Sequence, residues 1–147
     1  MDKLKKKYIQ LVQALKTLEK SLSIFNHLQK TKSCYSYEID YEEEYRIHRD
    51  SVIQRFEYTI DLFWKFIKKY LELTNISLGI KTPSEVIRQA CVIELISEKE
   101  AELILKMIKN RNTTSHIYVE EIAEQLVFII SQHYTTLHKI IERIVIK

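Results

Sequence analysis

The sequence predicts an all-α protein, an antiparallel up-and-down bundle of long helices with one short helix inserted. Three observations predict it. The chain has one Gly and one Pro in 147 residues, whereas sheets and tight turns consume both and helix interiors exclude both. Its apolar residues recur at spacings of three and four over stretches much longer than a strand. Two capping patterns, Thr82 with Glu85 and Ser97 with Glu100, mark helix starts in the second half.

The first helix carries Leu4, Leu11, Leu15, Leu18, Leu22 and Phe25 on one stripe, with Tyr8 filling the gap. It ends before the polar connection at 29–33. Between 34 and 44, Tyr35, Tyr37, Ile39 and Tyr41 alternate with polar residues as in a strand. A lone strand leaves its backbone unsatisfied, so the segment reads as an ordered loop or an early helical turn. The second long helix follows, with Val52, Phe56, Ile60, Phe63, Ile67 and Leu71 on one face, widened by Trp64 and Tyr70. Asn75 and Gly79 are its break signals. Thr82 caps the third helix, Pro83 takes its first position, and Glu85 is expected to reach back to the cap N–H. Val86, Ile87, Ala90 and Cys91 form its buried side. The fourth helix opens at Ser97 and carries Leu103, Ile104, Met107 and Ile108. The fifth runs from about Val119, with Ile122, Leu126, Ile129, His133, Leu137, Ile140 and Ile144 facing inward.

No repeat or linker interrupts residues 1–147, which read as a single domain of ordinary size. Hydrophobic residues make up 46% and charged residues 29%, a globular composition that argues against disorder. The net charge of +3 is too small to announce a nucleic-acid partner. Lys3, Lys5, Lys6 and Lys7, the later Lys106 and Lys109, and the acidic run Glu38, Asp40, Glu42, Glu43 and Glu44 read as solvated faces. Cys34 and Cys91 lack a CxxC spacing and read as reduced thiols of a cytoplasmic protein, Cys91 in the core. The start of the chain does not read as a signal peptide, and no apolar run is long enough for a membrane span.

With a single Gly there is no phosphate-cradling loop. The five histidines include no pair at i, i+4, so no metal and no cofactor is expected. Glu57 with Asp61, and Glu120 with Glu124, sit one turn apart and read as solvated faces. What remains is 110–118, Asn-Arg-Asn-Thr-Thr-Ser-His-Ile-Tyr, where the fourth helix ends and the fifth begins. Arg111 and His116 are five residues apart and diverge by about 140° on an unbroken helix. Asn112, Thr113, Thr114 and Ser115 favour a break that brings the imidazole round beside the guanidinium and close to a helix start. Arg111 is then a phosphate ligand, and His116 can move a proton near neutral pH. By residue type alone, a capping Arg and a loop His explain the same spacing.

Arg111, His116 and Tyr118 reproduce the Arg-x4-His-x-Tyr signature and resemble HEPN domains, specifically the HepT toxins paired with minimal nucleotidyltransferase antitoxins. Residues 49–59 with Trp64 and Lys65 resemble the family's second helix, and 83–90 its third. The likeness covers roughly 1–145, while the tyrosine-rich stretch at 34–45 matches nothing in it. The resemblance implies the toxin of a type VII toxin–antitoxin system, a homodimeric, metal-independent endoribonuclease with RNA as substrate. It implies His116 as the proton-transfer residue, Arg111 as phosphate ligand, Asn112 and Glu57 as supporting residues, and Tyr118 as the residue on which the antitoxin attaches AMP. His133 reads as a satisfied core histidine. Two competing readings are a non-catalytic substrate-binding subunit of a two-component nucleotidyltransferase, and a structural helical adaptor or DNA-binding bundle that uses Lys3–Lys7 and Lys106 with Lys109.

Overall fold

The structure, a computed structural model, describes residues 2–32, 35, 38–74 and 82–144. Among these residues five α-helices follow in order: α1 (Asp2–Thr31), α2 (Tyr41–Leu73), α3 (Pro83–Val92), α4 (Glu98–Arg111) and α5 (Glu120–Arg143). A 3-10 turn, Thr114–His116, lies between the last two. No strand occurs among the described residues. The all-helical prediction holds.

Side-chain pairings give the helix directions. Tyr8 packs on Phe66, and Phe25 on Tyr45, so α1 and α2 are antiparallel. Arg111 meets Asp61 while Ile108 shares a groove with Trp64, so α4 runs against α2. Asn110 meets His133 and Glu100 meets Arg143, so α5 runs against α4. The long helices therefore alternate up and down, with the 10-residue α3 inserted between α2 and α4. At 33 residues α2 is the longest element, about 50 Å at 1.5 Å per residue. It supplies Val52, Ile53, Phe56, Ile60, Phe63, Phe66, Ile67 and Leu71 to the core. Each such side chain contributes roughly 1.5–3 kcal/mol by leaving water.

Side chains cap the starts of α2, α3 and α4, while α5 starts after Val119 without a side-chain cap. Asp40 caps α2 by accepting from the Glu43 N–H at 2.8 Å. Glu42, Glu43 and Glu44 then fill the first turn, where the helix dipole favours carboxylates. The early helical turn expected in the tyrosine-rich stretch is thus the start of α2, while Cys34 and Tyr37 lie outside the described residues. Asn75 and Gly79 also lie outside them; α2 ends at Leu73. At α4 both halves of the capping box form, at 3.1 and 2.9 Å. At α3 only one half does. Thr82 accepts from the Glu85 N–H, but the Glu85 carboxylate accepts from Gln89 at 3.1 Å instead of reaching back to Thr82.

Three other expectations shift. In α5, Ile122 and Ile129 are only half-buried, while Ala123, Val127, Ile130 and Ile141 are buried. This helix packs against α1, α2 and α4, so its apolar arc is wider than one stripe. Cys91 is half-buried at the core margin. Glu44 and Arg49 are buried, 4% and 2% exposed: Glu44 accepts from the Tyr35 N–H at 2.8 Å, and Arg49 belongs to the polar network described below.

The scarcity of glycine leaves a mark on the backbone. Lys32 (φ 54°) follows α1 and Glu94 (φ 64°) follows the α3 cap, both left-handed without being Gly. Around Glu94 the Leu95 N–H bonds the Ala90 carbonyl and the Glu94 N–H bonds that of Cys91, each at 3.0 Å. That is a Schellman closure with a glutamate in the place usually held by Gly. A Cβ in this conformation costs about 1 kcal/mol. Lys32→Gly and Glu94→Gly are therefore each expected to raise stability by about 0.5–1 kcal/mol, read as a higher urea midpoint with unchanged slope. A lower midpoint for both would refute the strain.

Candidate functional site

Arg111 is the last residue of α4, and its guanidinium crosses to α2. Its Nε donates to both oxygens of Asp61 at 3.2 and 3.3 Å, and Nη2 reaches Asp61 at 3.3 Å and Glu57 at 3.1 Å. Nη1 donates to the Thr114 hydroxyl at 3.2 Å, and that hydroxyl lies 2.9 Å from a Glu57 oxygen. The hydrogen bonds that Arg111 donates to Asp61 raise the arginine's pKa against the opposing effect of burial. Glu57 and Asp61 stand one turn apart on α2, the spacing that lets two carboxylates grip one fork. The cluster of one guanidinium and two carboxylates has a net negative charge.

The chain turns after Arg111 through the cap residue Asn112 and the 3-10 turn, as the run of Asn, Thr and Ser suggested. The expected side-by-side pairing does not form: among the described residues no hydrogen bond joins Arg111 and His116, because Arg111 spends its donors on Glu57 and Asp61 of α2 and on Thr114. His116 is exposed instead. Its Nδ1 stands 3.4 Å from the Tyr118 hydroxyl, and the rings meet at 64°. Tyr118 is 78% exposed. The start of α5 is not free to receive an anion either: Glu120 and Glu121 occupy its first turn.

Glu120 and Glu124 are the second carboxylate pair one turn apart, and they too grip an arginine. Arg49 Nη1 donates to Glu120 at 2.7 Å and to Glu124 at 3.1 Å, while its Nε donates to Asp50 at 3.0 Å. Burial opposes the Arg49 charge, and these three carboxylates more than offset it, so its pKa is raised. Tyr45 donates to Glu124 at 2.8 Å, and its phenol is pushed up to about 12, by burial first and then by that carboxylate. Both pairs are partly solvated, as read, but they are also ion-pair partners, which the spacing alone did not show. Each carboxylate keeps one side in water but spends an oxygen on an arginine from another helix.

A groove of about 290 Å³ opens beside the Arg111 cluster, lined by Ile60, Asp61, Trp64, Pro83, Ile108, Arg111 and Asn112. It offers an indole wall, apolar flanks and polar groups at one end, the mixture found in small-molecule sites. Among the described residues no group of three or more His, Cys, Asp or Glu is placed to hold a metal. No described helix is long and apolar enough to cross a membrane.

Of the residues singled out in the sequence, Arg111 and Glu57 meet directly and Asn112 shares the groove with Arg111. His116 and Tyr118 form a separate, exposed pair. Asp61 and Thr114 were missed as partners of Arg111. The Glu57/Asp61 spacing was the visible signal, but its partner sits 50 residues further along. His133 is the satisfied core histidine expected: it is 8% exposed, its Nε2 lies 2.9 Å from the Asn110 amide nitrogen, and its ring stacks on Phe56.

Three comparisons bear on kinship. A family described as "Nucleotidyltransferase substrate binding protein like" matches residues 6–145. The crystal structure of a protein from Thermus thermophilus is similar, with 29% identity and a TM-score of 0.62 over 86% of this chain and 97% of that one. No curated protein matches significantly.

Burial, helped by the charge of Lys106, lowers the His133 pKa from 6.5 to about 4. Its stabilising contribution is full above pH 6.5, where both folded and unfolded forms are neutral. Below that the unfolded chain takes up a proton first, so stability falls as pH drops toward 4, by about 3 kcal/mol at most. Urea midpoints measured across this window are expected to fall, and His133→Leu to flatten that part of the profile. An unchanged slope in the variant would refute the assignment.

Proposed function

Because the chain belongs to the nucleotidyltransferase substrate-binding-like family, we propose that it is the non-catalytic subunit of a two-component nucleotidyltransferase and holds that enzyme's substrate. The groove between α2 and α4 carries this reading. Trp64 gives a planar face for a base, Ile60 and Ile108 dry flanks, and Asn112 a polar group at the rim. Arg111 forms one end of it, held rigidly by Glu57 and Asp61. A guanidinium held on both sides is preorganised as a wall of a binding site, which suits recognition. The partner enzyme supplies the group-transfer chemistry.

A second reading is the HepT type: a cytoplasmic, homodimeric, metal-independent endoribonuclease held in check by a minimal nucleotidyltransferase antitoxin. The exposed His116 beside the exposed Tyr118 favours it. In that reading His116 of each subunit transfers a proton, Arg111 and Asn112 bind the scissile phosphate of RNA, and Glu57 steadies Arg111. Tyr118 accepts AMP, whose phosphate and bulk would close the site. We rank it second because the net negative charge around Arg111 repels a backbone phosphate until a carboxylate is displaced.

Incubating the purified chain with total RNA, with and without EDTA and beside His116→Ala, separates the two. The binding-subunit reading expects intact RNA throughout. EDTA-resistant cleavage that His116→Ala abolishes would overturn it and establish the ribonuclease. For the groove itself, Trp64 is the sole tryptophan, so its fluorescence reports occupancy. AMP is expected to quench it saturably, with affinity about tenfold or more weaker in Arg111→Ala, the size of one charged hydrogen bond. Quenching equal in the two proteins would remove Arg111 from the site.

A further inference from the structure

Trp64 lines two cavities. One is the groove with Arg111; the other, of about 400 Å³, is lined by Lys3, Lys7, Trp64, Lys65, Lys68, Lys69 and Glu72. Five lysines thus converge on one hollow from α1 and α2, and a single carboxylate accompanies them. Lys69 approaches Glu72 only to 3.9 Å. Among the described residues Lys3, Lys7, Lys65 and Lys68 form no ion pair. Lys7, Lys68 and Lys69 are half-buried, as lysines are when their stems pack and their ammonium groups stay in water. The Lys65 ammonium stands 5.9 Å from the centroid of the Trp64 ring, within cation–π range. Like charges gathered this closely repel one another, and a polyanion relieves that repulsion.

We propose that this lysine hollow holds the polyphosphate tail of a nucleoside triphosphate whose base lies on Trp64 in the adjoining groove. The inference rests on the binding-subunit reading and names its ligand class. Trp64 joins the two sites, because it lines both the groove and the basic hollow. A base stacked on its face leaves the sugar at its edge and the phosphates among the lysines. Each ammonium is a compact point charge with three donors, suited to a phosphate chain.

The charge pattern also sets the length of the ligand. Asp61 lines the groove and Glu72 the hollow. They are eleven residues apart on α2, about 16 Å along its axis. A carboxylate at each end of the basic stretch admits a base with a short phosphate chain and repels the backbone of a strand that continues further.

The test titrates the 147-residue chain, free of metal, with ATP, AMP and a dodecamer of uridylate, following Trp64 fluorescence. ATP is expected to bind about tenfold or more tighter than AMP. The advantage should shrink with added salt. In Lys65→Glu/Lys68→Glu the advantage of ATP over AMP is lost. Lys3→Glu/Lys7→Glu, on the opposite helix, provides the same comparison if the first variant fails to fold by circular dichroism. Equal affinities for ATP and AMP, or an ATP advantage that survives both lysine variants, would overturn the lysine site alone and leave the groove standing. Failure of both nucleotides to bind would overturn the groove reading as well. Tight binding of the dodecamer with no response to ATP would overturn the proposal in favour of a nucleic-acid strand.

Discussion

Two arginine clamps hold the segment between α4 and α5, and both are fastened to the same stretch of α2. Arg111 closes α4 onto Glu57 and Asp61. Arg49 draws the first turn of α5 down through Glu120 and Glu124. The eight residues between Arg111 and Glu120 are therefore pinned at both ends against α2, between positions 49 and 61. Everything proposed for this end of the molecule depends on that pinning, since the 3-10 turn and the exposed His116 and Tyr118 ride on it. The clamps differ in one respect. The Arg49 guanidinium is almost wholly buried, so losing a partner would strand a charge away from water, whereas Arg111 keeps part of its surface at the rim of a groove.

That difference separates structure from function. Arg49, buried and gripped by three carboxylates, serves the fold. Arg111 makes the same kind of grip but also lines an accessible groove with Trp64 and Asn112. The two carboxylates keep its position fixed, and they also make the cluster negative. A ligand approaching it gains most by meeting the guanidinium edge while keeping its own phosphates at a distance. The lysines beyond Trp64 offer that distance. In the proposed binding mode the groove and the basic hollow divide one ligand's requirements between an apolar, rigid part and a cationic, solvated part.

The near absence of glycine shapes the same molecule from the backbone side. Helices run long because little in the sequence breaks them, and α2 extends over 33 residues. Where the chain must still reverse, ordinary residues take left-handed conformations at Lys32 and Glu94. The stability given up there is small beside the core that α2 builds with α1, α3, α4 and α5.

Much of the fold was legible because helix formation is local. The stripe from Leu4 to Phe25, the stripe from Val52 to Leu71 and the Ser97–Glu100 capping box each depend on residues within a turn or two of one another, and each appears as read. The break after Arg111 was legible for the same reason. Its consequences were not. Sequence spacing placed Arg111 beside His116, but a guanidinium goes to the strongest charge within reach, and that lay on α2. The i, i+4 carboxylates were visible at Glu57/Asp61 and at Glu120/Glu124, yet their partners stand 50 and about 71–75 residues away in the chain. The convergence of Lys3 and Lys7 with Lys65 and Lys68 has the same origin, in the antiparallel packing of α1 on α2. Periodicity and caps determined the helices; which charges met, and around which cavity, was decided only when the helices packed, because electrostatic pairing depends on distance in space.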